Sequence, residues 1–297
     1  MLEYLETVLV FVCIFGLGAM AFDLLLGYAG LASLAQASFV GLGAYSSALL
    51  TTKLGWGFFP SLFVGIGLAA LLGFLIGVAV LHLAGDYLMV ATVGFVFAIQ
   101  AFFVGWDGLT RGADGVPGVP HIEIAGFAFN TAGKFLVLSI FICLILYFLS
   151  SRLVKSPYGR ILKAMHDDEI ATSSMGKNLV IIKLSIFVIA AGMAAVSGSL
   201  YAHFVTFVDP FHYSLHETFT LFIMVVLGGM RTLKGAYLGA VILLGIPEIV
   251  RFMGLPTGIM GHVQEIIYGS ILVIVAMFRP QGLLGKKKAE PQEEAQG

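Results

Sequence analysis

Charged residues are scarce in this sequence. Asp, Glu, Lys and Arg make up 11% of it, whereas soluble domains carry roughly 25%. The hydrophobic fraction is 59% and the mean hydropathy is +0.99. A net charge of −1 gives no sign of a nucleic-acid-binding surface. This composition excludes an ordinary soluble domain and predicts an integral membrane protein.

Cysteine and targeting signals are also scarce. The two cysteines, Cys13 and Cys143, both lie inside apolar runs, which favours small packing residues over a disulfide. The first 27 residues have no basic region and no small-residue cleavage site. We therefore expect them to form a membrane span and not a cleavable signal peptide.

Apolar runs of about 20 residues, the length that crosses a bilayer as a helix, recur along the whole chain. The period-2 alternation typical of a membrane barrel is absent. We expect an all-α polytopic transmembrane bundle of about 8–10 spans, with residues 1–285 as one permease domain. Because residues 31–52 are rich in Ser and Gly, a broken or re-entrant helix remains an alternative there. The predicted spans are 4–27, 31–52, 58–83, 86–105, 134–151, 181–202, 215–230, 235–252 and 263–279.

The basic residues predict the orientation. Placing the polar segment 152–183 in the cytoplasm puts twelve Lys and Arg residues inside and four outside, as the positive-inside rule requires. The external loop then spans 106–133, and nine spans leave the N-terminus outside. The charged residues 286–297 are predicted to form a disordered cytoplasmic tail. The four external basic residues are Lys53, Arg111, Lys134 and Arg251.

The sequence contains no energy source of its own. It has no GxxxxGK[ST] phosphate loop, so we expect ATP to bind elsewhere. A carboxylate relay near the membrane midplane, typical of ion-coupled transporters, is also absent. The four carboxylates considered for it, which all fall near predicted span ends, are Asp23, Asp86, Glu217 and Glu248.

No catalytic or metal site is predicted. His212, His216 and Glu217 have helical metal-ligand spacing but not the HExxH order, and we interpret these histidines as solvated or interfacial. Ser197 and Ser199 lie near His203 without the GxSxG elbow of a hydrolase.

Small residues repeat every four positions in three predicted spans. Such stripes let neighbouring backbones approach closely, so we expect helix-packing seams. The stripes are Gly65, Ala69, Gly73, Gly77; Ala190, Ala194, Gly198, Ala202; and Gly235 with Gly239.

The polar segment between residues 151 and 183 carries six of the sixteen Lys and Arg residues. Read as one helix, it has an apolar face, and Lys163 and Asp167 are spaced for an i,i+4 pair. Such a helix suits docking against a cytoplasmic partner, although a plain solvated linker is the alternative. The predicted apolar face comprises Ile161, Ala164, Met165, Ala171 and Met175.

Four motifs together carry a family resemblance. They are the Gly- and Ser-rich run at 27–45, TRGADGVPGVP at 110–120, LGGMRTLKG at 227–235 and RPQGL at 279–283. With them, roughly residues 20–285 resemble the LivH/LivM permeases of ATP-driven branched-chain amino acid importers, and the LivM type more closely.

The resemblance implies a permease subunit with no cofactor of its own in a bacterial or archaeal plasma membrane. Its implied partners are a homologous LivH-type permease, two cytoplasmic ATPases that bind ATP and Mg, and a periplasmic or surface-tethered binding protein. The implied cargo is a branched-chain amino acid. Urea, short amides and other amino acids are alternatives, as are a stand-alone ion-coupled transporter and a non-transporting scaffold.

The resemblance also implies functional residues. Residues 159–178 resemble the cytoplasmic "EAA" coupling helix, although Ile170 replaces its middle alanine and Gly176 comes one residue late. The implied coupling residues are Gly159, Arg160, Lys163, Ala164, Asp168, Glu169, Ala171 and Gly176. We further expect a translocation path along Ser33, Gln36, Ser38 and Gln100, and an external docking loop with Arg111 and Asp114.

Overall fold

A computed structural model describes residues 2–83, 85–124, 126–252, 257–278 and 281–285. Within these ranges the chain is almost entirely helical, and α1 continues as a π-helical turn, Leu24–Tyr28. The helices are α1 Leu2–Asp23, α2 Gln36–Leu54, α3 Phe58–Val80, α4 Asp86–Gly105, α5 Asp107–Thr110, α6 Ala132–Lys155, α7 Pro157–Asp167, α8 Glu169–Ser174, α9 Leu179–Val205, α10 Leu215–Gly228, α11 Leu233–Phe252 and α12 Thr257–Phe278. The predicted tail, 286–297, lies outside the described residues.

Two small antiparallel strand pairs order the loops at one end of the bundle. Strand β1 (Val116–Pro117) pairs with β4 (Phe207–Val208), which joins the loop after α5 to the end of α9. Strands β2 (Glu123–Ile124) and β3 (Phe127–Ala128) form a hairpin. A short 3-10 turn, Gly112–Asp114, precedes β1.

The polytopic all-α bundle is confirmed. Five helices in the described residues, α1, α3, α4, α6 and α9, are long and apolar enough to cross a membrane. The pair α10 and α11, bent by 114°, makes a sixth if it counts as one broken span. This count is lower than the predicted eight to ten spans, and for the predicted span 215–230 the reason is its length. Helix α10, with 14 residues, is about 21 Å long, shorter than the roughly 30 Å hydrocarbon core.

The predicted span 31–52 is broken near its start, as the alternative interpretation allowed. Residues 29–35 are not helical, and α2 begins only at Gln36. Two threonines hold this buried segment. The Leu34 amide donates to Thr92 Oγ1 at 2.9 Å. Thr218 Oγ1 accepts from the Ala37 amide and donates to the Leu34 carbonyl, both at 3.1 Å.

Helices α1, α2 and α9 form the centre, and the small-residue stripes are its seams. All members of the stripes in α3 and α9 are buried. Backbones approach each other very closely between α2 and α9. A Cβ atom added to Gly198 would lie 1.8 Å from the Val40 carbonyl, and one added to Gly43 would lie 2.1 Å from the Ala195 carbonyl. Only glycine fits at these crossings.

The two ends of the bundle differ in their basic residues. At one end α7 and α8 lie beside the loop between α10 and α11, through an Arg231–Asp167 ion pair. Residues 283–284 join the same end, since their amides donate to the Leu227 and Gly228 carbonyls. At the other end Lys53 donates to the Gly108 and Leu109 carbonyls. The contacts therefore bring together α7, the α10–α11 loop and residues 283–284, which the charge distribution assigns to one side of the membrane.

The α2–α9 crossing predicts how two glycine substitutions differ. Gly198→Ala should destabilise the purified subunit by about 1–3 kcal/mol, because its new methyl group overlaps the α2 backbone. Gly94→Ala in α4 is the matched control, since open space surrounds that position. Thermal unfolding in detergent measures both. An equal melting temperature for the two variants would contradict the close crossing.

Candidate functional site

Residues 157–174 fold as two short helices and not as the single helix predicted. Helix α7 starts after Ser156, whose hydroxyl accepts from the Gly159 amide at 3.3 Å, with Pro157 in the first turn. Asp168 has extended backbone angles, and its carboxylate accepts from the Ala171 amide at 2.9 Å. This side chain caps α8, so the direction of the chain changes at residue 168.

The predicted apolar face is also wrong in part. The residues of α7 and α8 that are buried are Gly159, Leu162, Met165 and Thr172. Ala164 and Ala171 are exposed. Two large apolar side chains point outward instead, Ile170 at 80% exposed and Met175 at 75%. The break at Asp168 accounts for Ala171 and Met175, because it rotates α8 relative to the periodicity of α7. Ala164 precedes the break and lies on the exposed side of α7 itself.

Other predicted coupling residues shape this segment or tie it to its own chain. Glu169, expected to meet an ATPase, forms an ion pair with Lys183 of α9. The Lys163 ammonium lies 5.6 Å above the Tyr28 ring. Arg160 is exposed, and Gly176 has a φ of 74°, which ends the segment after α8. A Cβ on Gly159 would lie 2.2 Å from the Val154 carbonyl, so glycine is required for α7 to turn back on α6.

One arginine joins three elements at this end, in a group we call the Arg231 junction: Arg231, Asp23, Gly27, Tyr28 and Asp167. The Arg231 amide donates to Asp23 Oδ1 at 2.9 Å, and its Nε donates to the Gly27 carbonyl at 3.2 Å. Its Nη2 donates to Asp167 Oδ1 at 2.7 Å, and its carbonyl accepts from the Tyr28 hydroxyl at 2.7 Å. The junction thus connects the end of α1, the α10–α11 loop and α7.

Backbone geometry shows how tightly the junction is built. Arg231 has a φ of 63°, a left-handed conformation that costs a non-glycine residue about 1–2 kcal/mol. A Cβ on Gly27 would lie 2.1 Å from Asp23 Oδ1. Gly30, with a φ of 70°, lies against the His166 ring of α7. Sequence analysis missed the junction, although it singled out LGGMRTLKG as a motif.

The predicted path residues on the broken segment are deeply buried. Ser33, Gln36 and Ser38 are each at most 1% exposed. Ser33 Oγ accepts from the Ala35 amide, whereas both amide atoms of Gln36 and the Ser38 hydroxyl have no partner among the described residues. Buried polar groups without partners are costly, at about 1–3 kcal/mol each. Gln100 lies elsewhere, half-buried on α4 about 12 Å further along that helix than Thr92.

Two tyrosines adjoin this region and were not predicted. Tyr213 is 0% exposed, and a Cβ on Gly41 would lie 2.9 Å from it. Tyr45, one turn further along α2, stacks on Phe103 at 4.1 Å. Neither tyrosine hydroxyl has a partner in the described part of the chain. The segment before α10 therefore reaches into the bundle and presses against α2.

Glu217 and His212 lie together. His212, predicted to be solvated or interfacial, is half-buried. Glu217 is 6% exposed, and its Oε2 lies 3.9 Å from His212 Nε2. His212 stacks on Tyr201 at 4.6 Å, and burial lowers its pKa. Asp23 is likewise buried, so two of the carboxylates expected at span ends lie inside the bundle. No group of three or more His, Cys, Asp or Glu suited to a metal occurs among the described residues.

A polar network around His203 is structural. His203 Nε2 lies 2.9 Å from Ser47 Oγ, and Nδ1 lies 2.8 Å from the Pro120 carbonyl. Ser199 Oγ donates to Ser47 at 2.8 Å. Ser197 donates to the Ile14 carbonyl at 2.7 Å, so it is not a nucleophile paired with His203.

The loop predicted to be external, 106–133, is anchored to the bundle by several hydrogen bonds. Thr110 Oγ1 donates to the Phe103 and Trp106 carbonyls at 2.7 Å, and the Val119 amide donates to the Thr206 carbonyl at 3.1 Å. Arg111, with a φ of 64°, and Asp114 are both exposed on this ordered frame.

Comparison of the sequence with known proteins identifies the family of this chain. Residues 4–276 match the family described as "Branched-chain amino acid transport system / permease component". The chain is 31% identical to the high-affinity branched-chain amino acid transport system permease protein LivM of Escherichia coli, over 91% of this chain and 67% of that protein. It is 25% identical to a probable LivM permease of Methanocaldococcus jannaschii, over 76% of this chain and 69% of that protein.

LivH permeases match a shorter part. The Escherichia coli LivH protein is 31% identical over 46% of this chain and 42% of its own length. Among solved structures, none matches the chain.

The Arg231 junction predicts a stability difference between two variants. Arg231→Ala should lower the stability of the purified subunit by about 1–3 kcal/mol, because it removes the bonds to Gly27 and Asp167. Arg231→Gly loses the same bonds but relieves the left-handed backbone, so it should melt above the alanine variant. Thermal unfolding measures both. An alanine variant as stable as the wild type would contradict the junction.

Proposed function

This chain belongs to the family of permease components of branched-chain amino acid transport systems, and we propose that it is one of two permease subunits in an ATP-driven importer. Its relatives named LivM are permeases for branched-chain amino acids. We assign the same cargo class to this chain, with leucine, isoleucine or valine delivered by an external binding protein. The observation that carries the proposal is the cytoplasmic α7–α8 segment, which exposes Ile170 and Met175.

The energy comes from separate subunits in this proposal. The sequence has no phosphate-binding loop, so ATP and Mg bind to two cytoplasmic ATPases. Exposed apolar side chains as large as Ile170 and Met175 mark a surface that a partner covers. Arg160, Ala164 and Ala171 are exposed around them and complete the docking surface.

The remaining predicted coupling residues hold that surface in place. Gly159, Asp168 and Gly176 set the course of the chain, and Lys163 and Glu169 fasten it to Tyr28 and Lys183. Closure of the ATPases displaces α8 and α7 together. The Asp167–Arg231 ion pair passes that displacement to the end of α1 and to the α10–α11 loop.

The translocation path follows from the same contacts. The Arg231 junction ends at Tyr28, directly before the non-helical segment that leads to Ser33, Gln36 and Ser38. A displaced junction therefore moves the part of the chain where buried polar groups have no partner among the described residues. Irregular backbone inside a membrane bundle commonly lines a substrate path. Gln100 on α4 extends this path, and a homologous LivH-type permease completes it.

The external loop is the docking site for the binding protein. Its anchors at Thr110 and Val119 fix the positions of the exposed Arg111 and Asp114. A rigid frame with charges of both signs provides selective electrostatic contacts for a protein partner.

The proposed orientation places α7, α8 and the C-terminus in the cytoplasm of a bacterial or archaeal cell. Single cysteines at Ser174→Cys and Ala113→Cys, both exposed positions, test it in intact cells. The charge bias predicts that a membrane-impermeant thiol reagent labels position 113 and not position 174. Labelling after cell lysis controls for reactivity. Labelling of position 174 alone in intact cells would reverse the assigned topology.

ATPase docking is tested at Ile170. Ile170→Glu puts a charge in the apolar contact, and we expect ATPase association and leucine uptake to fall about tenfold or more. The membrane bundle should still fold, because this side chain is 80% exposed. Ile170→Leu is the matched control that keeps the apolar surface. Normal association of the glutamate variant with the ATPases would rule out this docking surface.

A further inference from the structure

Two helix interruptions meet inside the subunit. The first is the non-helical segment 29–35 before α2, and the second is the segment between α9 and α10 that carries Tyr213. Thr218, in the first turn of α10 directly after the second segment, binds the end of the first segment: its hydroxyl donates to the Leu34 carbonyl and accepts from the Ala37 amide of α2. In membrane transporters, such interruptions often bind the polar groups of a substrate.

The residue before Thr218 is a buried carboxylate. Glu217 is 6% exposed, and His212 is the one basic side chain within 4 Å of it in the described ranges. Because burial lowers the pKa of His212, the imidazole favours its neutral form. Asp209 opposes this effect and His216 adds to it. The carboxylate therefore has no permanent cationic partner among the described residues.

Glu217 lines a small internal cavity between α1, α2, α9 and α10. Four of its eight lining residues have purely apolar side chains, and Ser197, Tyr201 and His212 supply further polar atoms. A carboxylate at one side of an apolar cavity matches an ammonium group carried on a branched aliphatic chain. The apolar wall comprises Ile14, Phe15, Val40 and Leu221.

We propose that Glu217 binds the ammonium group of the transported amino acid and that the apolar wall of this cavity receives its side chain. This inference rests on the proposed function and adds a substrate site within this subunit. Gln36, one turn before Val40 on α2, has two unpartnered amide atoms within the described part of the chain. It lies on the same part of α2 as the cavity wall and is suited to the substrate carboxylate.

The cavity is closed in this conformation. Its volume of about 10 Å³ admits about one water molecule. An amino acid therefore enters only when α10 separates from α2. Arg231 lies in the α10–α11 loop, so a displacement of the Arg231 junction also displaces the end of α10. Helix α10 packs mainly on α11 and α1 and has few contacts with α2, so this separation breaks little of the packing of the bundle.

The test uses the complete importer in proteoliposomes, with radiolabelled leucine and the binding protein. Glu217→Gln removes the charge at constant shape, and Glu217→Asp keeps it on a shorter side chain. Val40→Phe fills the cavity and leaves the carboxylate in place. Glu123→Gln, at an exposed carboxylate of the β2–β3 hairpin, is the matched control.

We expect Glu217→Gln and Val40→Phe to lower leucine uptake about tenfold or more, with binding-protein-stimulated ATP hydrolysis within about twofold of wild type. Glu217→Asp should be intermediate and Glu123→Gln normal. Uptake by Glu217→Gln equal to that by Glu123→Gln would overturn the inference. If Glu217→Gln does not assemble, normal uptake by Val40→Phe overturns it, and loss of uptake with intact ATP hydrolysis supports it. A wild-type importer that takes up no leucine contradicts the proposed function instead.

Discussion

Burial of the Asp23 carboxyl group constrains the end of the bundle that carries α7 and α8. A buried polar group needs hydrogen bonds, and Asp23 Oδ1 accepts one from the backbone amide of Arg231. That bond requires Arg231 to adopt a left-handed backbone and Gly27 to have no side chain. With the backbone so fixed, the guanidinium reaches both the end of α1 and Asp167 of α7. The bond between Asp23 and Arg231 thus helps to fix how α7 lies against the end of α1.

Sequence periodicity and charge predicted those parts of the architecture that depend on residues close together in the sequence. Long apolar runs predicted α3, α4, α6 and α9. The small-residue stripes predicted the packing faces of α3 and α9. Serine and glycine content raised the possibility of a break before α2 because these residues weaken a helical pattern. Helix α10 was mistaken for a full span, since its apolar character does not reveal that the preceding segment already lies inside the bundle.

The site was less predictable because its contacts are distant in sequence. Arg231 and Asp23 are 208 residues apart, and no periodicity reports such a pair. The rotation of α8 depends on one side chain, since Asp168 caps that helix and moves Ala171 and Met175 away from the face predicted for them. Local patterns supplied the role of the segment 159–178 as a candidate for docking. Only the three-dimensional contacts distinguish the exposed residues of this segment, such as Ile170, from residues such as Glu169 that bind their own chain.

The exposed Ile170 and Met175 also bear on the life of the subunit before assembly. In the proposed orientation, a newly inserted chain presents these two side chains, 80% and 75% exposed, to the chaperones and proteases of the cytoplasm, which bind exposed apolar groups. In the proposed importer, association with an ATPase would hide them. The surface proposed to dock the ATPase would then also mark unassembled copies for degradation. Their removal would keep the numbers of permease and ATPase subunits matched.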